Sequence, residues 1–196
     1  MKTKLILLAF ATLCFKVSAQ SIKPLTEPSE LISITKLELG LHGVGAGYEI
    51  PISKKFTVNL SAGLGGGYSI YGNDFRSTWV INDPVAYFRS EVKYIYNREK
   101  RYGKGKAMLN NSGNYVAFQT KYTTARISGR KDFDPLNKTL LNEMHWGIQR
   151  PLGQRFIFNT HIGLGFGADF DSGSKTIYPA AGLQFAYIIS KNRKSF

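Results

Sequence analysis

The strongest constraint on this chain is an alternation of period two that runs through most of its length. From Phe56 to Ile70 it reads FTVNLSAGLGGGYSI, with apolar residues at every even position but Gly66 and Thr, Asn, Ser or Gly at the odd ones. Successive side chains of an extended backbone point to opposite faces, so such a run makes a two-faced strand. Residues 155–170 repeat the pattern: Phe156, Phe158, Ile162, Leu164, Phe166 and Phe170 alternate with Asn159, His161, Gly163, Gly165, Gly167 and Asp169. Two-faced runs also occupy 85–97, 115–125, 139–149 and 176–189, and no window of useful length repeats at 3.6. The chain is therefore expected to be all-β. Its 196 residues suit one domain.

Alternation alone does not say which face is inside. On 85–97 one face holds Ala86, Phe88, Val92, Tyr94 and Tyr96, the other Arg89, Glu91 and Lys93. A lipocalin-like barrel turns its apolar side inward, a transmembrane barrel turns it outward to lipid. Large apolar residues on every strand, with Tyr and Trp near strand ends, fit an interfacial aromatic belt. The first twenty residues point the same way. In MKTKLILLAFATLCFKVSAQ a basic start (Lys2, Lys4) precedes the apolar core Leu5–Phe15 and the small-residue site Val17-Ser18-Ala19. That is the layout of a secretory signal peptide, with a core too short to span a bilayer. The expected organisation is a signal peptide over 1–19, a periplasmic lead over 20–30, a barrel over 31–190 and a tail over 191–196.

Composition then takes a different meaning. The mean hydropathy of −0.18 is too low for a helical membrane protein. Alternating strands, however, dilute lipid-facing residues with a polar face. The single cysteine, Cys14, lies in the signal segment, which excludes a disulfide framework and a four-thiolate zinc site. Removing Lys2, Lys4 and Lys16 with that segment lowers the net charge from +13 to +10.

An internal echo orders the strands. PISKKFTVNLSAGLGGG at 51–67 matches PLGQRFIFNTHIGLGFG at 151–167, sharing Pro, Phe, Asn, Gly, Leu, Gly and Gly in register. Each copy is a tight turn followed by a glycine-rich strand. If both turns lie on one side, an even number of strands separates them, and 55–70, 85–97, 114–126 and 139–150 supply four. Short turns of such barrels face the periplasm and longer loops face outside. The connections at 71–84, 127–138 and 171–175 are then expected to be extracellular. Residues 44–52 must run back into the first short turn, which requires one more strand before them. Leu37, Leu39 and Leu41 are apolar at odd positions, and Val44, Ala46, Tyr48 and Ile50 at even ones. A two-residue hairpin at His42-Gly43 would flip the phase in this way. One long strand with a bulge is the alternative. With the hairpin the count is eight.

Eight strands enclose room for side chains and no aqueous channel. The expected inward set is uneven. One wall carries Gly40, Gly45, Gly47, Gly63, Gly65, Gly67, Gly163, Gly165, Gly167 and Gly182; the other carries Arg89, Glu91, Lys93, Lys121, Glu143 and His145. Lys36 and Glu38 add one charge of each sign. Four basic and three acidic groups nearly neutralise one another, so a closed polar core is expected and a conductive pore is the alternative. A turn centred on Gly153 would set His145 and His161 opposite each other, with Glu143 two residues away. Two imidazoles and a carboxylate can ligate a transition metal or act as a base with its orienting group. A hydrogen-bonded interior network is the preferred reading, with no cofactor, no bound metal and no catalytic residues.

The segment Arg98-Glu-Lys100-Arg101-Tyr-Gly-Lys104-Gly-Lys106 forms a basic loop that parity puts in the periplasm. It is read either as a contact for anionic lipid headgroups or as a solvated turn. Nucleic acid is not an expected partner: the loop lacks base-stacking aromatics in a cytoplasmic address.

Taken together, these residues resemble the small eight-stranded outer-membrane β-barrel proteins of Gram-negative bacteria, of the OmpA/OmpX type. The more specific part is the last strand, Ala180-Ala-Gly182-Leu-Gln-Phe185-Ala-Tyr187. Gly182 followed by Phe185 and Tyr187 resembles the signal read by the barrel-assembly machinery. Ala180 stands where that signal has a polar residue, and the strand trails into Ser190–Phe196. The resemblance implies an eight-stranded antiparallel up-and-down transmembrane β-barrel in the outer membrane. It also implies a monomer that meets outer-membrane lipids and the assembly machinery. The expected function is non-enzymatic: envelope integrity, or surface interaction through the loops. A lipid A-modifying enzyme and a porin-like small-solute channel are the alternatives.

Overall fold

The computed structural model describes residues 30–78, 84–127 and 136–192. The expected signal peptide, most of the lead and the last four residues of the tail lie outside them, as do parts of the 71–84 and 127–138 connections. In chain order the elements are β1 (Ser33–Gly40), β2 (Gly43–Pro51), β3 (Phe56–Gly65), β4 (Gly67–Tyr71), β5 (Asp74–Thr78) and β6 (Val85–Ile95). After the one-turn helix α1 (Arg98–Tyr102) come β7 (Gly113–Thr123), β8 (Thr139–Leu152), β9 (Phe156–Asp169) and β10 (Lys175–Asn192). Eight strands close an antiparallel barrel in the order β1-β10-β9-β8-β7-β6-β3-β2, while β4 and β5 form a separate hairpin. Each barrel strand pairs with its neighbour in sequence, which makes the fold up-and-down. Pairing of Leu39 with Phe185 and Leu37 with Tyr187 closes it between β1 and β10.

The phase change near residue 42 is a hairpin. Its two-residue turn is Leu41-His42, one residue earlier than expected, because Gly40 pairs with Gly43 and Leu39 with Val44. Gly43 has φ +133, and a Cβ there would lie 2.5 Å from the Cα of Gly65, so glycine permits both the turn and the close approach of β3. The echo of 51–67 in 151–167 is structural as well. Pro51 pairs with Thr57 and Pro151 with Ile157, so both turns have the same register. β3, β6, β7 and β8 lie between them, the even number that parity requires.

The strand expected over 55–70 is shorter. β3 ends at Gly65, and after Gly66 the chain leaves the wall as the β4–β5 hairpin. Three consecutive glycines offer no side chain to the outer surface and let the backbone bend. Tyr68 and Ile70, placed on the outer face by their even positions, are instead buried. The hairpin folds over the mouth that carries the β1–β2 turn, here the distal mouth. Phe75 of β5 stacks on Tyr178 at 4.0 Å, and the backbone N–H of Ile70 donates to Asp169 at 2.9 Å.

The polarity of the wall is inverted relative to a soluble barrel. Large apolar side chains cover the outside, with Ile162, Leu164 and Ile177 exposed by 64%, 65% and 72%. Aromatics collect near the opposite, proximal mouth, where β1 begins and β10 ends: Phe56 packs on Tyr94 at 4.9 Å, and the Trp146 indole donates to Tyr96 at 2.7 Å. The interior is layered. Leu31, Ile95, Tyr115 and Ala117 make a small apolar cluster towards the proximal mouth, and Tyr68, Leu141, Tyr178 and Ala180 make another at the distal one. Between them sits a charged middle.

Candidate functional site

Buried charge is tolerated mainly when paired, and three cations and three carboxylates of the middle layer form ion pairs. Lys36 of β1 bridges Glu49 at 3.1 Å and Glu38 at 3.4 Å. Lys93 of β6 stands 3.4 Å from Glu91 and 3.8 Å from Glu49, and donates to Gln149 at 3.0 Å. Arg89 reaches Glu38 across the barrel and donates to Ser61 at 2.9 Å. Lys121 is held differently: it donates to the Tyr68 hydroxyl at 3.0 Å and lies over the Tyr68 and Tyr87 rings at 4.9 and 5.0 Å.

Glu49 is the member that the sequence reading missed. It is fully buried at the centre of the network, and its signal was present, since the inward odd positions of its strand begin with Gly45 and Gly47. Including it makes four basic and four acidic groups, so the expected surplus of one positive charge disappears.

Glycines of the expected wall make the room. Gly40, Gly45, Gly47, Gly63, Gly65, Gly163, Gly165, Gly167 and Gly182 lie in β1, β2, β3, β9 and β10, contiguous strands of the closed barrel. Gly67 leaves the wall with β4. A Cβ on Gly165 would lie 2.3 Å from the Tyr178 ring, and one on Gly47 2.6 Å from the Glu38 carboxylate.

The two interior histidines meet, though not as direct opposites. The β8–β9 turn spans Gly153 to Arg155, so His145 pairs with Gly163 and His161 with Gly147. The rings are diagonal neighbours and stack at 4.1 Å between centroids. His145 Nε2 donates to Glu91 at 3.1 Å, while its Nδ1 is 3.9 Å from Glu143. His161 Nε2 is also 3.9 Å from Glu143. Glu143 accepts from Gln119 at 2.9 Å and from the Tyr178 hydroxyl at 2.8 Å. Glu143, His145 and His161 therefore offer three ligand atoms within 4.8 Å of one another, a set that could hold a metal ion.

Both mouths are filled. At the distal mouth a relay runs from Lys121 through Tyr68 to His42, whose Nδ1 accepts from the Tyr68 hydroxyl at 3.0 Å. His42 Nε2 then faces the Ala181 carbonyl at 3.4 Å. Burial, aided by the Lys121 charge, lowers the His42 pKa to about 4, so the ring is neutral at pH 7.

At the proximal mouth the connection after β6 folds back into the barrel. Asn111, with φ 53, exchanges hydrogen bonds with the backbone N–H and carbonyl of Ile32 and donates to Glu49 at 3.1 Å. The basic loop is thus divided: Arg98 and Arg101 are buried, and Lys100, Lys104 and Lys106 are exposed. Arg98 donates to the Ser112 carbonyl at 3.3 Å and Arg101 to that of Ala107 at 2.8 Å. Burial and the neighbouring Arg101 lower the Arg98 pKa to about 10.

On β10, Phe185 and Tyr187 lie on the outer wall, and Gly182 faces the His161 ring. The connection carrying α1 leaves from the mouth opposite to the 71–84, 127–138 and 171–175 connections, as parity requires.

Fold and interior together define a class: a closed eight-stranded β-barrel, apolar outside, with a neutralised polar core. No family model, curated protein or solved structure shows significant similarity to this chain.

Proposed function

We propose that this chain is an outer-membrane β-barrel protein of the OmpA/OmpX type, exported through a cleaved signal peptide and working as a monomer. It is non-enzymatic. It contributes to envelope integrity, or to surface interaction through its distal loops. The observation that carries this reading is the inverted wall, since a continuous apolar exterior around a charged interior is stable only in lipid. Eight to eighteen residues per barrel strand suit a tilted bilayer crossing, and the aromatic cluster near the proximal mouth suits a headgroup interface. On this reading the distal loops face outside, Lys100, Lys104 and Lys106 face the periplasm, and Gly182, Phe185 and Tyr187 engage the assembly machinery.

The core supports a structural role over conduction. Among the described residues, a cavity beside His42 and His161 has a volume of about 30 Å³, room for roughly one water. A concavity of about 630 Å³ that includes Leu60, Phe88 and Tyr122 lies largely along the apolar outer wall.

Extraction from membranes by detergent, followed by gel migration with and without heating, tests the reading. A faster-migrating folded form that is lost on boiling is the expected result, and recovery as a soluble periplasmic protein refutes it. Planar-bilayer conductance tests the channel alternative, and mass spectrometry of lipid A with and without the protein tests the enzyme.

A further inference from the structure

We propose that Glu143, His145 and His161 form a binding site for one divalent first-row transition-metal ion, with Zn²⁺ as the representative occupant. This stands independently of the membrane reading: a barrel in lipid needs no metal, and a metal site needs no lipid.

Three observations converge on the site. The first is an unused lone pair. His145 is 2% exposed, and its Nδ1 is buried with no hydrogen-bond partner, aimed towards Glu143. A buried polar atom left unpaired is costly, and here it is the atom that a metal would take.

The second is the other side of the same ring. Nε2 lies 3.1 Å from the Glu91 carboxylate, so in the neutral ring the proton belongs on Nε2 and Nδ1 is the acceptor. A carboxylate behind a histidine is the usual support of a metal-ligating imidazole, orienting the ring and raising its basicity. Glu91 is in turn held by Lys93 at 3.4 Å.

The third is charge. Glu38, Glu49 and Glu91 each have a Lys or Arg nitrogen within 4 Å. Among the described residues, Glu143 has none: its ionic neighbours are the two histidines, each at 3.9 Å. It is the buried carboxylate in need of a cation.

The cradle is shaped for the imidazoles. A Cβ on Gly182 would lie 2.2 Å from His161 Cε1, and one on Gly163 2.6 Å from the His145 Cβ. Gly182 thus leaves the space that the His161 ring fills, and Gly163 lets β9 approach the backbone of His145 closely. Bonds of about 2.1 Å in a tetrahedral arrangement put ligand atoms about 3.4 Å apart. The ligand atoms now lie within 4.8 Å of one another, and the two rings must turn out of their 22° stack for both nitrogen lone pairs to converge on one ion. Two nitrogens and one oxygen suit Zn²⁺, Co²⁺, Ni²⁺ or Cu²⁺ better than Ca²⁺ or Mg²⁺.

The test uses the full chain, its fold verified by β-sheet circular dichroism and cooperative unfolding in whichever medium keeps it dispersed, stripped with chelator and titrated with Zn²⁺ at pH 7.5. One equivalent per chain is expected to survive desalting, with Co²⁺ giving visible absorption bands of a four-coordinate nitrogen–oxygen site. The double substitution His145→Gln with His161→Gln should weaken binding at least 100-fold. Glu91→Gln should weaken it about 10- to 100-fold. His42→Gln, which changes the remaining histidine, should leave it unchanged. If the double variant does not fold, Glu143→Gln takes its place and must weaken binding at least tenfold. Uptake below one-tenth equivalent by the folded wild type, or undiminished uptake by a folded ligand variant, overturns the site.

Discussion

Placing the same cation at two depths of the outer wall separates a barrel in lipid from one in water. Ile162 lies at the middle of the 14-residue strand β9 and is 64% exposed; Ile177, third residue of β10, is 72% exposed. Ile177 pairs with Phe166, four residues along β9 from Ile162. At about 3.3 Å per residue that is about 13 Å along the strand, or about 10 Å along the barrel axis at a tilt of about 40°. With an apolar band about 25 Å tall centred on Ile162, Ile177 sits near its edge.

Ile162→Arg should therefore cost about 2–4 kcal/mol and Ile177→Arg about 0–1 kcal/mol. In a soluble protein both positions are simply exposed, and each change should stay within about 0.5 kcal/mol. Guanidinium unfolding from phospholipid vesicles reads the difference, followed by the fluorescence of the two tryptophans, of which Trp146 pairs with Ile162. Equal small effects at the two depths would refute the lipid-facing wall, however apolar it is.

Other consequences follow from the interior and its plugs. Lys93→Met leaves Glu91 facing only His145 and Glu49 held by Lys36 alone, and should destabilise by about 3–5 kcal/mol. Adding Glu49→Gln should restore part of that loss, a coupling that a double-mutant cycle of unfolding measures. For His42 the folded pKa of about 4 lies below an unfolded value near 6.5, so the unfolded chain binds the extra proton between them. Stability should fall as pH drops from about 6.5 to 4, by at most about 3 kcal/mol, and His42→Gln should remove that portion of the slope in pH-dependent unfolding. Gly165→Ala drives a Cβ to 2.3 Å from the Tyr178 ring, which Glu143 and Phe75 hold in place. A loss of about 1–3 kcal/mol is expected, reduced in a Tyr178→Leu background where no ring needs to move.

Much of the barrel is legible because a strand's two faces are a local property of the chain. Period two, the phase flip around residue 42 and the echo at an offset of 100 suffice for eight strands and for the sides on which their connections fall. The inward charged set follows from the same parity, and applying that parity to β2 would have added Glu49. The missed features all depend on contacts distant in sequence. Tyr68 and Ile70 satisfy the alternation of a wall strand, but the glycines at 65–67 let them turn inward, where Lys121, His42 and Asp169 supply partners. Arg98 and Arg101 read as a solvated loop until the carbonyls of Ser112 and Ala107 are placed beside them.

The histidine cluster divides along the same line. That His145 and His161 face inward near Glu143 is a matter of strand parity, and the sequence alone determines it. That they stack as diagonal neighbours, with Nδ1 of His145 unpaired and Glu143 lacking a lysine or arginine, was decided by the tertiary structure. Turn length sets the register, and only barrel closure brings Glu91 behind the ring. Alternation specifies which face a side chain occupies; what it meets there depends on strands up to half the barrel away.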